Sequence, residues 1–353
     1  MRTRAVLGQL HPYVPGERIA GGIKLSSNEN PLGASPRATV AIRDALHDLN
    51  RYPDGGATDL RAAIASKSNV SDDMIVVGNG SDEILVMIAG ALIEPGTNAV
   101  TAAHTFSQYA FATRIFGGEV RTAPMKDGRF DLEAIADRID DCTRIVFLCS
   151  PNNPTGTIVT ADELDTFLSS IRDDVLVVID EAYGEYVTAD DYPDTVAMIR
   201  SGAAMIRLRT FSKIYGIAAM RVGYGIAPPD VVTAVSSLRQ PFNVGSVAQR
   251  AATAALDDLD FVARSLDNNE RQKRRLYRFL EDRQIAFIPT QANFVCARFD
   301  RPAASDVARA LHERRIAVRP LASFGMDDHL RITLGTEPEM DALYEALEPL
   351  FGG

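Results

Sequence analysis

Five short apolar runs, separated by helix-like stretches, constrain what this chain can fold into. They are MIVVG (74–78), NAVTAA (98–103), RIVFLC (144–149), VLVVID ending at Asp180, and MIRLRT (205–210). Most are nearly continuous in apolar residues instead of alternating with polar ones, the pattern of strands covered on both faces. Helical patterns lie between most of them. This predicts an α/β fold, with a mostly parallel sheet flanked by helices. After PFNVGS (241–246) the pattern changes. A long charged helical stretch covers roughly 247–282, and shorter strands and helices follow it as a smaller α+β domain. The first 30 or so residues are rich in Pro and Gly and read as an extended arm. The expected organisation is an arm over 1–32 packing with the small domain, a large domain over 33–245 and a small domain over 246–353.

Composition excludes several classes. The net charge of −10 argues against a nucleic-acid binder, which would carry a basic face. It does not forbid an anionic ligand, since a local arginine cluster can outweigh the global charge. The three cysteines, Cys142, Cys149 and Cys296, form no Cys-x-x-Cys pair and do not cluster with histidine, so no metal site is expected. The first residues lack the apolar core of a signal peptide, and no run approaches the roughly 20 apolar residues of a membrane span. The expectation is a cytoplasmic protein.

In open α/β sheets, ligands sit beyond the carboxyl ends of the strands. Chemistry is therefore sought there. VLVVID ends in Asp180, followed by Glu181, Ala182 and Tyr183. An acid there is either a helix cap or a buried carboxylate that needs a cation. RIVFLC runs into Ser150-Pro151-Asn152-Asn153-Pro154-Thr155-Gly156, a fixed turn from which two Asn side chains can project. Gly78-Asn79-Gly80-Ser81-Asp82-Glu83 joins a strand to a helix. It is a plain capped helix or an anion site made of free N–H groups. Within TFSKIYGIAAMRVGYG (210–225), Lys213 sits among apolar residues and Arg221 follows eight positions later. Lys213 is a solvated surface lysine or a lysine that does covalent chemistry. Together these parts meet the needs of pyridoxal 5′-phosphate: an anion cup, an acid for the ring nitrogen, donors for the phenolic oxygen and a lysine amine.

The chain resembles the fold-type I pyridoxal-phosphate-dependent aminotransferases of the aspartate aminotransferase superfamily. Asn153-Pro154-Thr155-Gly156, Asp180-Glu181-Ala182-Tyr183 and Ser212-Lys213 with Arg221 carry the resemblance, with gaps of 27, 33 and 8 residues from Asn153 to Asp180, Lys213 and Arg221 in turn. Within that superfamily it looks like the histidinol-phosphate aminotransferases. The motifs are Pro12-Tyr13-Val14-Pro15-Gly16, Asn28-Glu29-Asn30-Pro31-Leu32-Gly33, Arg51-Tyr52-Pro53-Asp54, the Gly78–Glu83 turn, Pro241-Phe242-Asn243-Val244 and Leu330-Arg331-Ile332-Thr333. It departs at IYGIAAM (214–220) and at His104-Thr105-Phe106, where the family more often has Pro first.

The resemblance implies roles. Lys213 would hold the cofactor covalently and move the substrate proton. Asp180 would pair with the ring nitrogen, and Tyr183 and Asn153 would bind the phenolic oxygen. Phe106 would stack on the ring. Gly80, Ser81, Asp82, Thr210, Ser212 and Arg221 would form the phosphate cup. Tyr52 would reach the neighbouring subunit's cofactor, making the active unit a homodimer. Arg331 would take the donor's carboxylate or phosphate, with Arg319 as a second phosphate ligand and Asn28, Glu29 and Asn293 near the substrate. The implied reaction transfers an amino group between L-histidinol phosphate and 2-oxoglutarate. An aromatic-amino-acid aminotransferase and a phosphothreonine decarboxylase on the same scaffold are the alternatives. The absence of G-x-G-x-x-G after a strand makes a dinucleotide-binding dehydrogenase a poor reading.

Overall fold

The computed structural model describes residues 1–10 and 19–351; the Pro12–Gly16 motif lies outside the described residues. All five apolar runs are strands of one seven-stranded sheet. Its order is Ile75–Gly78, Gly223–Ile226, Met205–Thr210, Leu176–Asp180, Thr143–Cys149, Asn98–Ala102, Glu119–Ala123. Neighbours run parallel, except that Gly223–Ile226 is antiparallel to both strands beside it. The central strands are buried along their length, as continuous apolar runs require. Asp180, Cys149 and Thr210 therefore emerge at one edge, where the strands end.

A second, four-stranded antiparallel sheet has the order Phe287–Ile288, Phe294–Arg298, His329–Thr333, Arg319–Pro320. Alternation along His329–Thr333 sorts its side chains. Leu330 and Ile332 enter a separate apolar core with Leu276, Val295, Val307 and Leu343, while Arg331 and Thr333 take the other face. Among the described residues no helix is long and apolar enough to cross a membrane.

One expectation needs correction. The stretch 247–282 is not one helix but two, Ser246–Leu256 and Leu259–Asp282. The break falls at Asp257-Asp258, where the buried Asp258 carboxylate leaves the helical path to accept hydrogen bonds from Ser35 Oγ (2.6 Å) and the Arg37 N–H (3.1 Å). The first of these helices also buries Ala248, Ala251, Ala252 and Ala255 in the core of the large sheet, although it lies past the boundary expected at 245/246. The arm is likewise shared. Ile23–Lys24 adds a parallel strand to Ile316–Ala317 and Leu25 enters the second core, but the turn Ala5–Gln9 lies against the helix Gln108–Ile115 of the large unit.

The arm then clasps the Lys213 loop. Asn30 Nδ2 donates to Ile214 O (2.8 Å), and the Ser35 N–H donates to Tyr215 O (3.2 Å). At Gly216, φ is +68° and a Cβ would stand 1.9 Å from Gly33 O. Gly216→Ala should therefore destabilise the fold by about 2 kcal/mol or more, read as a lower urea midpoint at unchanged m-value. An unchanged midpoint would mean that the clasp is loose.

Candidate active site

The strand edge gathers most of the predicted residues. Asp180 is buried, and its Oδ2 accepts the hydroxyl proton of Tyr109 (2.8 Å) while Oδ1 accepts the Ala182 N–H (3.2 Å). Burial pushes this carboxyl up to about 6, against the pull of the Tyr109 hydrogen bond and with a push from the Asp82 charge. The capping role open at Asp180 is met only by the Ala182 contact. Next to it, Glu181 is buried too, yet it pairs with Arg209 (2.7 Å) and accepts from Thr195 Oγ1 (2.7 Å).

Lys213 is half-buried on its loop. Its Nζ donates to Ser27 O (3.3 Å) and stands 5.5 Å from the centre of the Tyr183 ring. Burial, then the nearby Arg331 charge, lowers its ammonium to about 8; Asp82 and Glu29 oppose the shift and Arg221 adds to it. Tyr183 is buried edge-on to Phe294 (5.1 Å) and accepts from Asn28 Nδ2 (2.9 Å). Burial raises its phenol well above the usual range, partly offset by Arg331 and by the Asn28 hydrogen bond.

Gly80, with φ +76°, starts the helix Ser81–Leu92 without any side-chain cap. The first-turn N–H groups of Ser81 and Asp82 thus have no side-chain cap, and Arg221 lies against this turn. That arginine, itself at φ +51°, donates to Ser212 Oγ (3.3 Å) and to Asp82 Oδ2 (3.2 Å). A Cβ at Gly80 would lie 2.5 Å from an Arg221 nitrogen, so only glycine lets the guanidinium lie on the turn. Glu83 fixes the turn from behind, accepting from the Asn79 N–H (2.6 Å) and from Asn243 Nδ2 (2.7 Å). Thr210 is turned inward: its Oγ1 accepts the Ser212 N–H (3.1 Å) and donates to Val222 O (3.4 Å).

From the small sheet, the buried Arg331 donates to Asn153 Oδ1 and to Ser26 O (2.8 Å), with its guanidinium 5.3 Å from the Phe294 ring. Arg319 is directly opposite Arg331 in the strand pair, so both arginines share a face. Phe106 is half-buried on the large-sheet side, edge-on to Tyr109 at 5.7 Å.

Other predicted residues are placed differently. Asn152 does not project from its loop; it accepts from Thr105 Oγ1 (2.8 Å) and donates to His104 O and Thr155 Oγ1. Glu29 turns to Lys24 (2.8 Å). Asn293 is buried and donates to Asn28 O (3.1 Å). Tyr52 is 83% exposed and stacked on Phe242 at 4.8 Å. Sequence reasoning missed Tyr109 and Arg209. The arginine had a signal, since a charge inside the strand run MIRLRT must find a partner. Tyr109 had none beyond sitting three residues after Phe106.

Comparison with known proteins gives the family. The sequence profile of "Aminotransferase class I and II" matches residues 20–347. A histidinol-phosphate aminotransferase of Geobacillus thermodenitrificans is 44% identical, over 98% of this chain and 97% of that protein. One from Bacillus subtilis is 42% identical, over 98% and 99%. The crystal structure of histidinol-phosphate aminotransferase from Sinorhizobium meliloti, in complex with pyridoxal-5′-phosphate, superposes with a TM-score of 0.88 at 28% identity, covering 99% of this chain and 97% of that one. A Thermus thermophilus aspartate aminotransferase with maleate shares the fold at a TM-score of 0.84. The chain belongs to the class I and II aminotransferases.

Proposed function

We propose that this enzyme binds pyridoxal 5′-phosphate and transfers an amino group between L-histidinol phosphate and 2-oxoglutarate, giving imidazole-acetol phosphate and glutamate, a step of histidine biosynthesis. The observation that carries the cofactor is a buried acid, Asp180, held only by neutral donors, in the same chain region as a half-buried lysine, Lys213, whose ammonium is lowered by burial and by Arg331. The names and near-complete coverage of the relatives support the substrate.

The residues fit the group. Arg221, the Ser212 hydroxyl and the N–H groups of Ser81 and Asp82 form a donor-rich cup for the phosphate. Asp180 would accept the ring N–H, which answers its lack of a cation among the described partners. Arg331 occupies Asn153 Oδ1, so the amide's Nδ2 is the side that would donate to the phenolic oxygen, beside the Tyr183 hydroxyl. Phe106 would lie against the ring. Thr210 would act through the Ser212 turn instead of touching phosphate.

Bound there, the group would supply an electron sink for the pair left when a proton departs from the amine-bearing carbon. Lys213 Nζ would remove that proton and return it on the neighbouring position. Neutral Nζ is the competent form, and the lowered value makes it available near neutrality. Arg331 and Arg319 offer two forks on one strand face, suited to the phosphate of the donor and to the carboxylate of glutamate. Asn293 would act by holding Asn28, and Glu29 by its charge near Lys213. We further read the active unit as a cytoplasmic homodimer, in which the outward Tyr52 serves the neighbouring subunit's cofactor.

The purified protein with pyridoxal 5′-phosphate should be yellow, and Lys213→Ala should lose the covalent visible band; a colourless wild type without affinity would overturn the reading. In cofactor-free protein, labelling of Lys213 by an amine-directed reagent should rise with pH through a midpoint near 8, because only the neutral amine reacts; a midpoint near the ordinary 10.5 contradicts the burial argument. In half-reactions with the aminated enzyme, imidazole-acetol phosphate should exceed phenylpyruvate in kcat/KM by about tenfold or more. The reverse order would favour the aromatic-amino-acid reading. Arg331→Ala should lower kcat/KM for the donor by about a hundredfold while cofactor affinity stays nearly constant. Equal loss of both would refute its role.

A further inference from the structure

Asn28 is a poor candidate for a direct substrate ligand, because each of its polar groups is already engaged. It is 1% exposed. Its backbone N–H donates to Thr333 Oγ1 (3.0 Å) and its backbone O accepts from Asn293 Nδ2 (3.1 Å). Its side-chain Oδ1 accepts from Thr333 Oγ1 (3.0 Å) and its Nδ2 donates to the Tyr183 oxygen (2.9 Å). The residue sits at φ +55°, a backbone state that Asn tolerates better than most side chains.

The polarity of this network follows from counting protons. The Thr333 oxygen already accepts the Asn28 N–H, and its single proton needs an acceptor. Oδ1 of Asn28 is that acceptor. The amide nitrogen therefore faces Tyr183, and the Tyr183 oxygen is an acceptor toward Asn28. The phenol's own proton must then point away from Asn28, leaving it free to be donated to another acceptor.

Resting on the cofactor assignment above, we infer that Asn28 is a positioning residue: its amide, oriented by Thr333, commits the Tyr183 hydroxyl to donate its proton toward the bound ring oxygen. Thr333 and Asn293 belong to the small-sheet side, Asn28 to the arm and Tyr183 to the large unit. The donor state of Tyr183 is thus set by how the arm and small domain sit.

The test is a double-mutant cycle read by spectroscopy. Asn28→Gly removes the side chain and suits the left-handed backbone. A hydrogen bond donated by Tyr183 stabilises the anionic ring oxygen and so lowers the pH midpoint of the visible band. Asn28→Gly should raise that midpoint, in the same direction as Tyr183→Phe, and should cause no further shift in the Tyr183→Phe background. It should lower kcat by about tenfold with the KM for histidinol phosphate within about twofold. Thr333→Val, which keeps Asn28 but removes the group that orients it, should move the midpoint the same way and serves if Asn28→Gly does not fold. A shift that persists in the Tyr183→Phe background, or a raised KM at unchanged kcat, would overturn the proposal in favour of direct substrate contact. An unmoved midpoint in the Asn28 and Thr333 variants would overturn it too. A wild type that never acquires the band fails the cofactor assignment itself, which separates the two failures.

Discussion

Two adjacent buried acids at the end of one central strand organise this site. A buried carboxylate is costly unless a cation or several donors compensate it, and the costs run to several kcal/mol. Glu181 meets that requirement within the protein: Arg209 lies at 2.7 Å, and Glu185 shares the guanidinium at 3.0 Å. Gly184 makes room for it, since a Cβ there would be 2.6 Å from the Arg209 carbon. Asp180, pointing the other way by strand alternation, receives only the Tyr109 hydroxyl and one backbone N–H among its described hydrogen bonds. The same fold that pairs one acid with an arginine leaves its neighbour to neutral donors. Such a carboxylate must either take up a proton or await a cationic ligand group.

Asp180 has no cation among its described hydrogen-bond partners, whereas the cations of the site act on Lys213. Arg331 and Arg221 both raise the electrostatic potential at Lys213. In a chain of net charge −10 this is a local inversion of sign. A ligand with one protonated ring nitrogen and several anionic groups complements that separation of charge better than a uniformly charged one. The depressed lysine is a consequence of the same separation, since its ammonium form is disfavoured both by burial and by the two arginines.

Much of this was legible in the sequence because strands buried on both faces announce themselves, and their ends locate the chemistry. Asp180, Lys213, Arg221 and Arg331 could be found that way or through the family resemblance. What the sequence did not carry is who touches whom. The break at Asp258 depends on Ser35, 223 residues away. Asn152 and Asn153 are adjacent in a similar turn, yet one knits the loop and the other meets Arg331; nothing local distinguishes them. Tyr109 reads as ordinary helix core because its partner lies 71 residues later. Polar side chains that serve other side chains leave no periodic signal.

The arm shows why such contacts matter. Three successive residues reach three different partners: Ser26 O accepts from Arg331, Ser27 O from Lys213 Nζ, and Asn28 donates to Tyr183. The pairing of Ile23–Lys24 with Ile316–Ala317, continued by the Leu25 N–H to Ala317 O, fixes the register of this run. A slip by one residue would exchange all three partners at once. The arm's main-chain oxygens accept hydrogen bonds from both cations, Arg331 and Lys213, as water does elsewhere. A backbone acceptor leaves the positive potential largely intact for a substrate anion, whereas an Asp or Glu at the same place would consume it. The Pro- and Gly-rich arm is therefore part of the electrostatic design of the site, and its position is set by the small domain on which it is paired.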